Sequence, residues 1–153
     1  DLLKKTSSET RQIAHNMMPE TLSRFGLVMA LESLVIQLNE TTRLDVQLLV
    51  HGLEDRLPTS IELHLYRIIQ ELLHNVVKHA KGATKATLYL TQHQHNLSIL
   101  LEDNGAGFDS NTSHNGMGLT NVSNRIQLLK GSLSIDSQPQ QGTTINLSIP
   151  VSG

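Results

Sequence analysis

The feature that most constrains the fold is the apolar segment at residues 61–80. Its apolar residues recur with a helical period, and they cover a surface too broad for a helix with only one buried side. The residues that form this surface are Leu65, Ile68, Ile69, Leu72, Leu73, Val76 and Val77. We therefore predict a mostly interior helix around which the rest of the chain packs.

The flanking segments favour helices interspersed among strands that are mostly linked by hairpins. Helical spacing predicts helices at residues 2–23, 27–39 and 119–129, and alternating apolar residues predict strands at 44–50, 86–90, 97–101, 132–135 and 143–149. This order is typical of the α+β class. We predict a two-layer α/β sandwich, in which helices cover one face of a mixed, mostly antiparallel sheet.

Composition excludes several classes of protein. The 153 residues fit one ordinary domain, and the absence of Cys excludes disulfides and thiolate metal sites. A net charge of -2 without a run of Lys and Arg argues against direct binding of nucleic acid. The apolar stretches fall well short of the roughly 20 residues that span a bilayer. The chain begins within a helix-like sequence, which suggests a fragment of a longer protein.

Four polar residues form one stripe on the predicted central helix, at Glu71, Asn75, Lys78 and His79. The stripe is either a solvated outer surface or the lining of a cavity that holds a polar ligand. Asn is a poorer helix former than Glu or Lys, which slightly favours a role for its amide. An amide oxygen is a suitable ligand for a divalent ion that phosphates already hold.

Three glycine-containing segments follow, each with an ordinary structural explanation. Residues 103–108 read Asp-Asn-Gly-Ala-Gly-Phe after a strand and could form a hairpin turn, but a polar stretch and a helix follow instead of a strand. Gly116-Met117-Gly118-Leu119 opens a helix, where glycine is a common cap or where free amides could bind phosphate. Gly142 and the threonines after it could be a turn and a strand start. The chain lacks the glycine patterns of the dinucleotide-binding fold and the P-loop.

Taken in order, these segments resemble the N box and the glycine boxes of the Bergerat-fold ATPases, which include gyrase, Hsp90, MutL and histidine kinases. The matching patterns are Glu71-x-x-x-Asn75, Asp103-x-Gly105-x-Gly107, Gly116-x-Gly118 and Gly142-Thr143. Residues 71–80 and 118–133 are especially similar to the histidine-kinase form. The resemblance covers roughly residues 57–151, and four motifs in the correct order are far more specific than any one.

The resemblance implies a role for each matching residue. Asn75 would ligate the Mg²⁺ that bridges the ATP phosphates, and Asp103 would bind the adenine amino group with Thr143 or Thr144 in support. Lys78 and His79 would lie near the phosphates, and Glu71 would assist the acceptor. The other expected nucleotide-binding residues are Gly105, Gly107, Gly116, Met117, Gly118 and Leu119.

The resemblance also implies how the chain is organised. Residues 109–115 would be a short ATP lid, which resembles the nitrate-sensor and DesK groups of kinases. Residues 1–24 resemble the second helix of a dimerisation hairpin, and residues 25–153 would be the catalytic ATP-binding domain. His15 is followed by Asn16, which cannot act as a base as an Asp or Glu would. We therefore expect the phosphoacceptor histidine upstream of Asp1.

The function implied is a sensor histidine kinase that transfers the γ-phosphate of ATP to a histidine, for relay to a response-regulator receiver domain. The full-length protein would form a homodimer through the hairpin. This domain would lie in the cytoplasm, and an inner-membrane anchor could lie upstream of it. Two alternatives stay open: a nucleotide-binding interaction module without kinase activity, and a gyrase-type ATP hydrolase in which Glu71 activates water.

Overall fold

The computed structural model describes residues 19–107 and 119–151. These residues form four helices and five strands. In chain order they are α1 (Glu20–Phe25), α2 (Leu27–Thr41), β1 (Asp45–His51), α3 (Thr59–His79), β2 (Lys85–His93), β3 (Asn96–Asp103), α4 (Leu119–Leu128), β4 (Ser132–Ser137) and β5 (Thr143–Pro150). The predicted helix at residues 61–80 is therefore confirmed, and it begins two residues earlier than expected.

The five strands form one mixed sheet in the order β1-β2-β3-β5-β4. Strands β1 and β2 are parallel, because α3 carries the chain from the end of one strand to the start of the next. The other three pairings are antiparallel. The β2–β3 hairpin is longer than predicted, since its strands run to His93 and from Asn96 and its turn places Gln94 at a φ of 56°.

The helices pack against one face of this sheet and bury it. On β3, the buried residues Leu97, Ile99 and Leu101 alternate with residues that are more exposed. The buried residues of α3 that face the sheet include Leu65, Ile68, Ile69, Leu72 and Leu73, and none of these side chains is more than 1% exposed. This confirms the predicted two-layer α+β sandwich with helices on one face. Burial of apolar surface from both layers supplies the main stabilisation of the domain.

A buried carboxylate joins α1, α2 and α3. The side chain of Glu62 on α3 is 2% exposed, and it accepts hydrogen bonds from the amide of Leu27 at 3.2 Å and from Nη2 of Arg56 at 2.7 Å. Gly26 separates α1 from α2 at a φ of +92°, and a side chain there would meet that of Arg56. Leu22 of α1 is fully buried in the same core as α2 and α3.

Most of the predicted N-terminal helix lies outside the described residues, and so do the lid at residues 109–115 and His15. The division of the chain at residues 24 and 25 stays a prediction. Among the helices of residues 19–107 and 119–151, none has the combined length and apolarity that crossing a bilayer requires.

Candidate functional site

A narrow slot lies between α3 and the sheet, where the ends of β3, β4 and β5 meet the start of α4. Its volume is about 40 Å³. The residues that line it are Leu72, Asn75, Val76, His79, Ala80, Asp103, Gly107, Leu119, Ile135, Thr143 and Ile145. Six of the predicted site residues therefore meet here, from four segments that are distant in the sequence.

Among the described residues, Asp103 is the one carboxylate that lines the slot. It ends β3, and its Oδ1 accepts a hydrogen bond from the amide of Gly105 at 2.9 Å, the geometry of an Asx turn. Partial burial raises the pKa of Asp103, while hydrogen bonds from the backbone amides of Gly105 and Thr143 oppose that shift. The carboxylate is therefore held in place and only partly solvated, which strengthens any hydrogen bond it makes to a ligand.

Glycines let the loops around Asp103 pack closely. Gly107 has a φ of +69°, and a side chain there would overlap the carbonyl oxygen of Gln138. Gly142 has a φ of +76°, and a side chain there would overlap the carbonyl oxygen of Asp103. Gly105 does not line the slot, and a Cβ at its position would lie 3.0 Å from that of Ala80. These glycines are required by contacts within the protein, whatever the slot binds.

The polar stripe of α3 divides between two surfaces. Asn75 and His79 line the slot, and Asn75 is already engaged in a contact within the protein. Glu71, one turn before Asn75, lines a neighbouring groove instead. Lys78 is exposed and lines neither surface. The structure therefore places part of the stripe at a cavity and Lys78 in solvent, and a polar ligand in that cavity stays a prediction.

The two threonines of β5 are separated by the alternation of the strand. Thr143 is buried, lines the slot and lies 2.8 Å from Ser137, measured between the hydroxyl oxygens. Thr144 follows it on the opposite face of the sheet. Leu119, the first residue of α4, also lines the slot. Gly116, Met117 and Gly118 lie outside the described residues.

The apolar walls of the slot were missed by the sequence analysis. Leu72, Val76, Ile135 and Ile145 line it, with Ala80 at one end. In sequence these residues are indistinguishable from core residues of the same elements, because a wall and a core have the same periodicity. The available signal was position, since Leu72 and Val76 flank Asn75 on α3 and Ile145 follows Thr143 by two residues.

The protein offers few metal ligands of its own. Within the described ranges, 19–107 and 119–151, no group of three His, Cys, Asp or Glu side chains converges in a way that could hold a metal ion. Mg²⁺ that arrives with a nucleotide needs only one or two protein ligands, because phosphates and water supply the others. Asn75 can supply one such ligand through its amide oxygen.

Residues 60–153 match the model of the family described as histidine kinase-, DNA gyrase B- and HSP90-like ATPase. The chain belongs to this ATPase family. The match includes every residue predicted for the site, from Glu71 to Thr144, and excludes the segment before α3. It confirms the resemblance on which the nucleotide-site prediction was based, and it makes ATP the nucleotide that the family uses.

Among its relatives, this ATPase domain is similar to two bacterial kinases. It is 33% identical over 151 residues to the signal transduction histidine-protein kinase/phosphatase DegS of Brevibacillus brevis, which covers 98% of this chain and 39% of that protein. It is 37% identical over 145 residues to the sensor histidine kinase ComP of Bacillus subtilis strain 168, which covers 93% of this chain and 19% of that protein. The chain therefore spans well under half the length of these relatives.

Solved structures confirm the fold. The histidine kinase domain of the blue-light activated kinase EL346 of Erythrobacter litoralis superposes with a TM-score of 0.62 at 20% identity, covering 80% of this chain and 58% of that one. The histidine kinase AdeS of Acinetobacter baumannii gives a TM-score of 0.63 at 17% identity, and the match covers 81% of this chain and 64% of that one. The chain therefore shares the fold of these two structures over about four fifths of its length.

Proposed function

We propose that the slot binds the adenine of ATP and that Asp103 accepts a hydrogen bond from its amino group. The observation that carries this proposal is the position of Asp103, a partly buried carboxylate among mostly apolar walls. Apolar walls suit a planar ring, and a negatively charged acceptor beside them suits its exocyclic amine.

The phosphates would then extend towards α3 and the start of α4. Asn75 would ligate Mg²⁺, which supplies positive charge to the phosphate oxygens when it is bound. His79 lines the slot beside Asn75, and the exposed Lys78 lies on the same helix, so either can approach a phosphate. The backbone amides at Gly116, Met117, Gly118 and Leu119 would contribute further donors, as is typical of the first turn of a helix.

The reaction we propose is transfer of the γ-phosphoryl group to a histidine on a helix upstream of this chain. The bond between phosphorus and the β,γ-bridging oxygen breaks, a bond to the imidazole nitrogen forms, and ADP leaves with the electron pair. Glu71 would hold the proton of the acceptor imidazole, because it lies one helical turn from Asn75. Catalysis would depend chiefly on positioning and charge stabilisation.

The partners follow from the kinase proposal. Relatives similar over nearly the whole of this chain are named as histidine kinases, two of them as sensor histidine kinases. By analogy, the phosphohistidine would pass its phosphoryl group to an Asp of a response-regulator receiver domain. Residues 1–24 would belong to a dimerisation hairpin, residues 25–153 to the catalytic domain, and the domain would work in the cytoplasm.

The deciding experiment uses a longer form of the protein that includes the helical hairpin upstream of Asp1. It is incubated with Mg-ATP, and phosphohistidine is mapped by mass spectrometry at neutral to alkaline pH. Phosphate on an upstream histidine supports the proposal. Steady release of inorganic phosphate without a phosphoprotein would indicate a hydrolase, and ATP binding without either product would indicate an interaction module. Phosphate on His15 would overturn our placement of the acceptor.

A further inference from the structure

A second cavity, which we call the groove, lies between α3 and α4 beside the nucleotide slot. Its volume is about 450 Å³, roughly ten times that of the slot. It is lined by Arg67, Gln70 and Glu71 of α3 and by Asn121, Val122, Asn124, Arg125 and Leu128 of α4. Six of these eight residues are polar or charged, so the groove suits a hydrophilic ligand.

Two arginines face this groove from opposite walls. Nη1 of Arg67 donates a hydrogen bond to Oε1 of Gln70 at 3.1 Å. Nη1 of Arg125 lies 3.2 Å from Nδ1 of His64, and because a guanidinium cannot accept a hydrogen bond, the histidine nitrogen is the acceptor. Both arginines are half-buried. Each guanidinium is therefore partly oriented by a side chain of the domain, and both lie at the wall of the groove.

The charge of Arg125 acts on Arg67. Partial burial lowers the pKa of Arg67 most, Tyr66 raises it by less, and the charge of Arg125, the smallest of the three effects, lowers it again. The Arg67 guanidinium stays protonated at neutral pH, because even a lowered arginine pKa lies far above it. Within residues 19–107 and 119–151, Arg125 makes no ion pair with a carboxylate. Two like charges held together in partial burial leave a region of positive potential.

Glu71 lies between this positive region and the slot. Of the lining residues within 19–107 and 119–151 it is the one carboxylate, so among these the two arginines exceed it by one positive charge. Along α3, Arg67, Glu71 and Asn75 follow one another at intervals of four residues and share one side of the helix. The groove therefore continues the polar stripe away from the nucleotide, with Glu71 at the boundary.

We propose that Arg67 and Arg125 form a binding site for a phosphate-class anion, separate from the adenine end of the slot. Two guanidiniums on opposite walls match the tetrahedral array of acceptors on a phosphoryl group, and the amides of Gln70, Asn121 and Asn124 add donors around it. The anion can come from two sources, inorganic phosphate in solution or the terminal phosphate of a nucleotide bound in the slot. The first source does not rest on the proposed function, and the second does.

The test is titration of this chain with sodium phosphate at constant ionic strength, followed by ¹H-¹⁵N NMR. Arg67→Gln and Arg125→Gln each remove one charge and should weaken phosphate binding by about tenfold or more, the usual effect of a lost charge-assisted hydrogen bond. Arg43→Gln is the matched control, since Arg43 is exposed, lies outside the groove and changes the net charge equally. Its affinity should stay within about twofold of the wild type, as expected of a distant screened charge.

A variant that is expected to raise the phosphate affinity makes the test more specific. Glu71→Gln removes the carboxylate that repels an anion and should tighten phosphate binding. Arg125→Lys keeps the charge without the planar fork, so its affinity should fall between those of the wild type and Arg125→Gln. Thermal unfolding shows whether each variant is folded. Equal phosphate affinity in the wild type and in folded Arg125→Gln overturns the proposal, and so does an equal loss in Arg43→Gln.

Nucleotide titrations separate the two sources. If the terminal phosphate of ATP occupies the groove, Arg125→Gln weakens Mg-ATP by about tenfold and leaves ADP unchanged. If inorganic phosphate is the ligand, Arg125→Gln weakens phosphate alone, and both nucleotides bind as in the wild type. Either result supports the anion site. Failure of the wild type to bind any nucleotide would contradict the proposed function, while the phosphate titration would still report on the groove.

Discussion

Asp103 and Thr143 are partners in the β3–β5 register, and the backbone amide of Thr143 helps to lower the pKa of the Asp103 carboxyl against the effect of its burial. The residue before this threonine, Gly142, has no side chain, which lets its backbone approach the carbonyl of Asp103. The hydroxyl of Thr143 is meanwhile paired with that of Ser137. The end of β5 therefore orients the carboxylate that we propose as the adenine acceptor.

Asp103→Asn should weaken ADP binding, because the amide lacks the negative charge that strengthens a hydrogen bond to the amine. A lost charge-assisted hydrogen bond costs about 1.5–3 kcal/mol, or about 10–100-fold in affinity. Isothermal titration calorimetry measures the ADP affinity of the variant and of the wild type. Glu102→Gln is the matched control, since Glu102 is the exposed neighbour on the same strand. An unchanged affinity in Asp103→Asn would remove Asp103 from the site.

The same substitution should change how stability depends on pH. The pKa of Asp103 is raised in the folded protein, so the folded state retains a proton that the unfolded chain has released. The contribution of this group to stability therefore falls as pH rises from its ordinary value of 3.8 through the raised pKa. Asp103→Asn should have a higher melting temperature than the wild type at pH 7. This gain should shrink as the pH approaches 3.8, and a gain that is independent of pH would contradict the assignment.

Asn75→Ala should reduce the part of ATP affinity that depends on Mg²⁺. The variant loses an amide oxygen as a metal ligand, a polar contact to a charged group worth about 1.5–3 kcal/mol. The protein is titrated with ATP once in the presence of Mg²⁺ and once in the presence of EDTA. The difference between the two ATP affinities should be smaller in the variant than in the wild type. Gln37→Ala, which removes an exposed amide from α2, serves as the control. Equal dependence on Mg²⁺ in both variants would exclude Asn75 as a ligand.

Gly142→Ala and Gly82→Ala separate backbone strain from steric overlap. Both glycines have positive φ, at +76° and +74°, but a Cβ at Gly82 has nothing within 4 Å, whereas one at Gly142 overlaps the backbone of Asp103. Gly82→Ala should cost about 1–2 kcal/mol, the usual penalty of a left-handed L-residue. Gly142→Ala should cost more and also weaken ADP binding. Urea unfolding and calorimetry measure the two effects, and similar results for both variants would refute the close packing at Asp103.

Arg56→Gln should destabilise the junction of α1, α2 and α3. Glu62 is buried, and the loss of its guanidinium partner leaves a carboxylate with too few hydrogen bonds. The urea midpoint should fall below that of the wild type, and ADP affinity should be retained because the junction is remote from the slot. Arg43→Gln again provides an exposed arginine as the control. Equal midpoints for the two variants would show that Arg56 contributes nothing to the junction.

Several elements could be predicted because their signals are local. The apolar period of α3, the alternation along β3 and β5, and Asp103 at a strand end all depend on neighbouring residues. The order of the motifs then identified the family. The boundaries were less accurate, as at the β2–β3 hairpin, because strand ends depend on partner strands rather than on the strand itself.

Other features depend on contacts between residues that are distant in the sequence. Leu27 and Glu62 are 35 residues apart, and His64 and Arg125 are 61 residues apart. Nothing near Arg67 indicates that it shares a groove with Arg125. The sheet likewise separates Thr143 from Thr144, a choice that the sequence analysis left open.

The sequence by itself determined the α+β class, the central helix and the set of residues that we propose for a nucleotide site, because periodicity and motif order are properties of the chain. Only the tertiary structure decided which members of that set meet in the slot, that Glu71 faces the groove, and that two arginines face each other there. The physical reason is that side-chain burial and the pairing of charges arise only when α3, α4 and the sheet pack together. The sequence of one element does not specify which residues of the other elements it will contact.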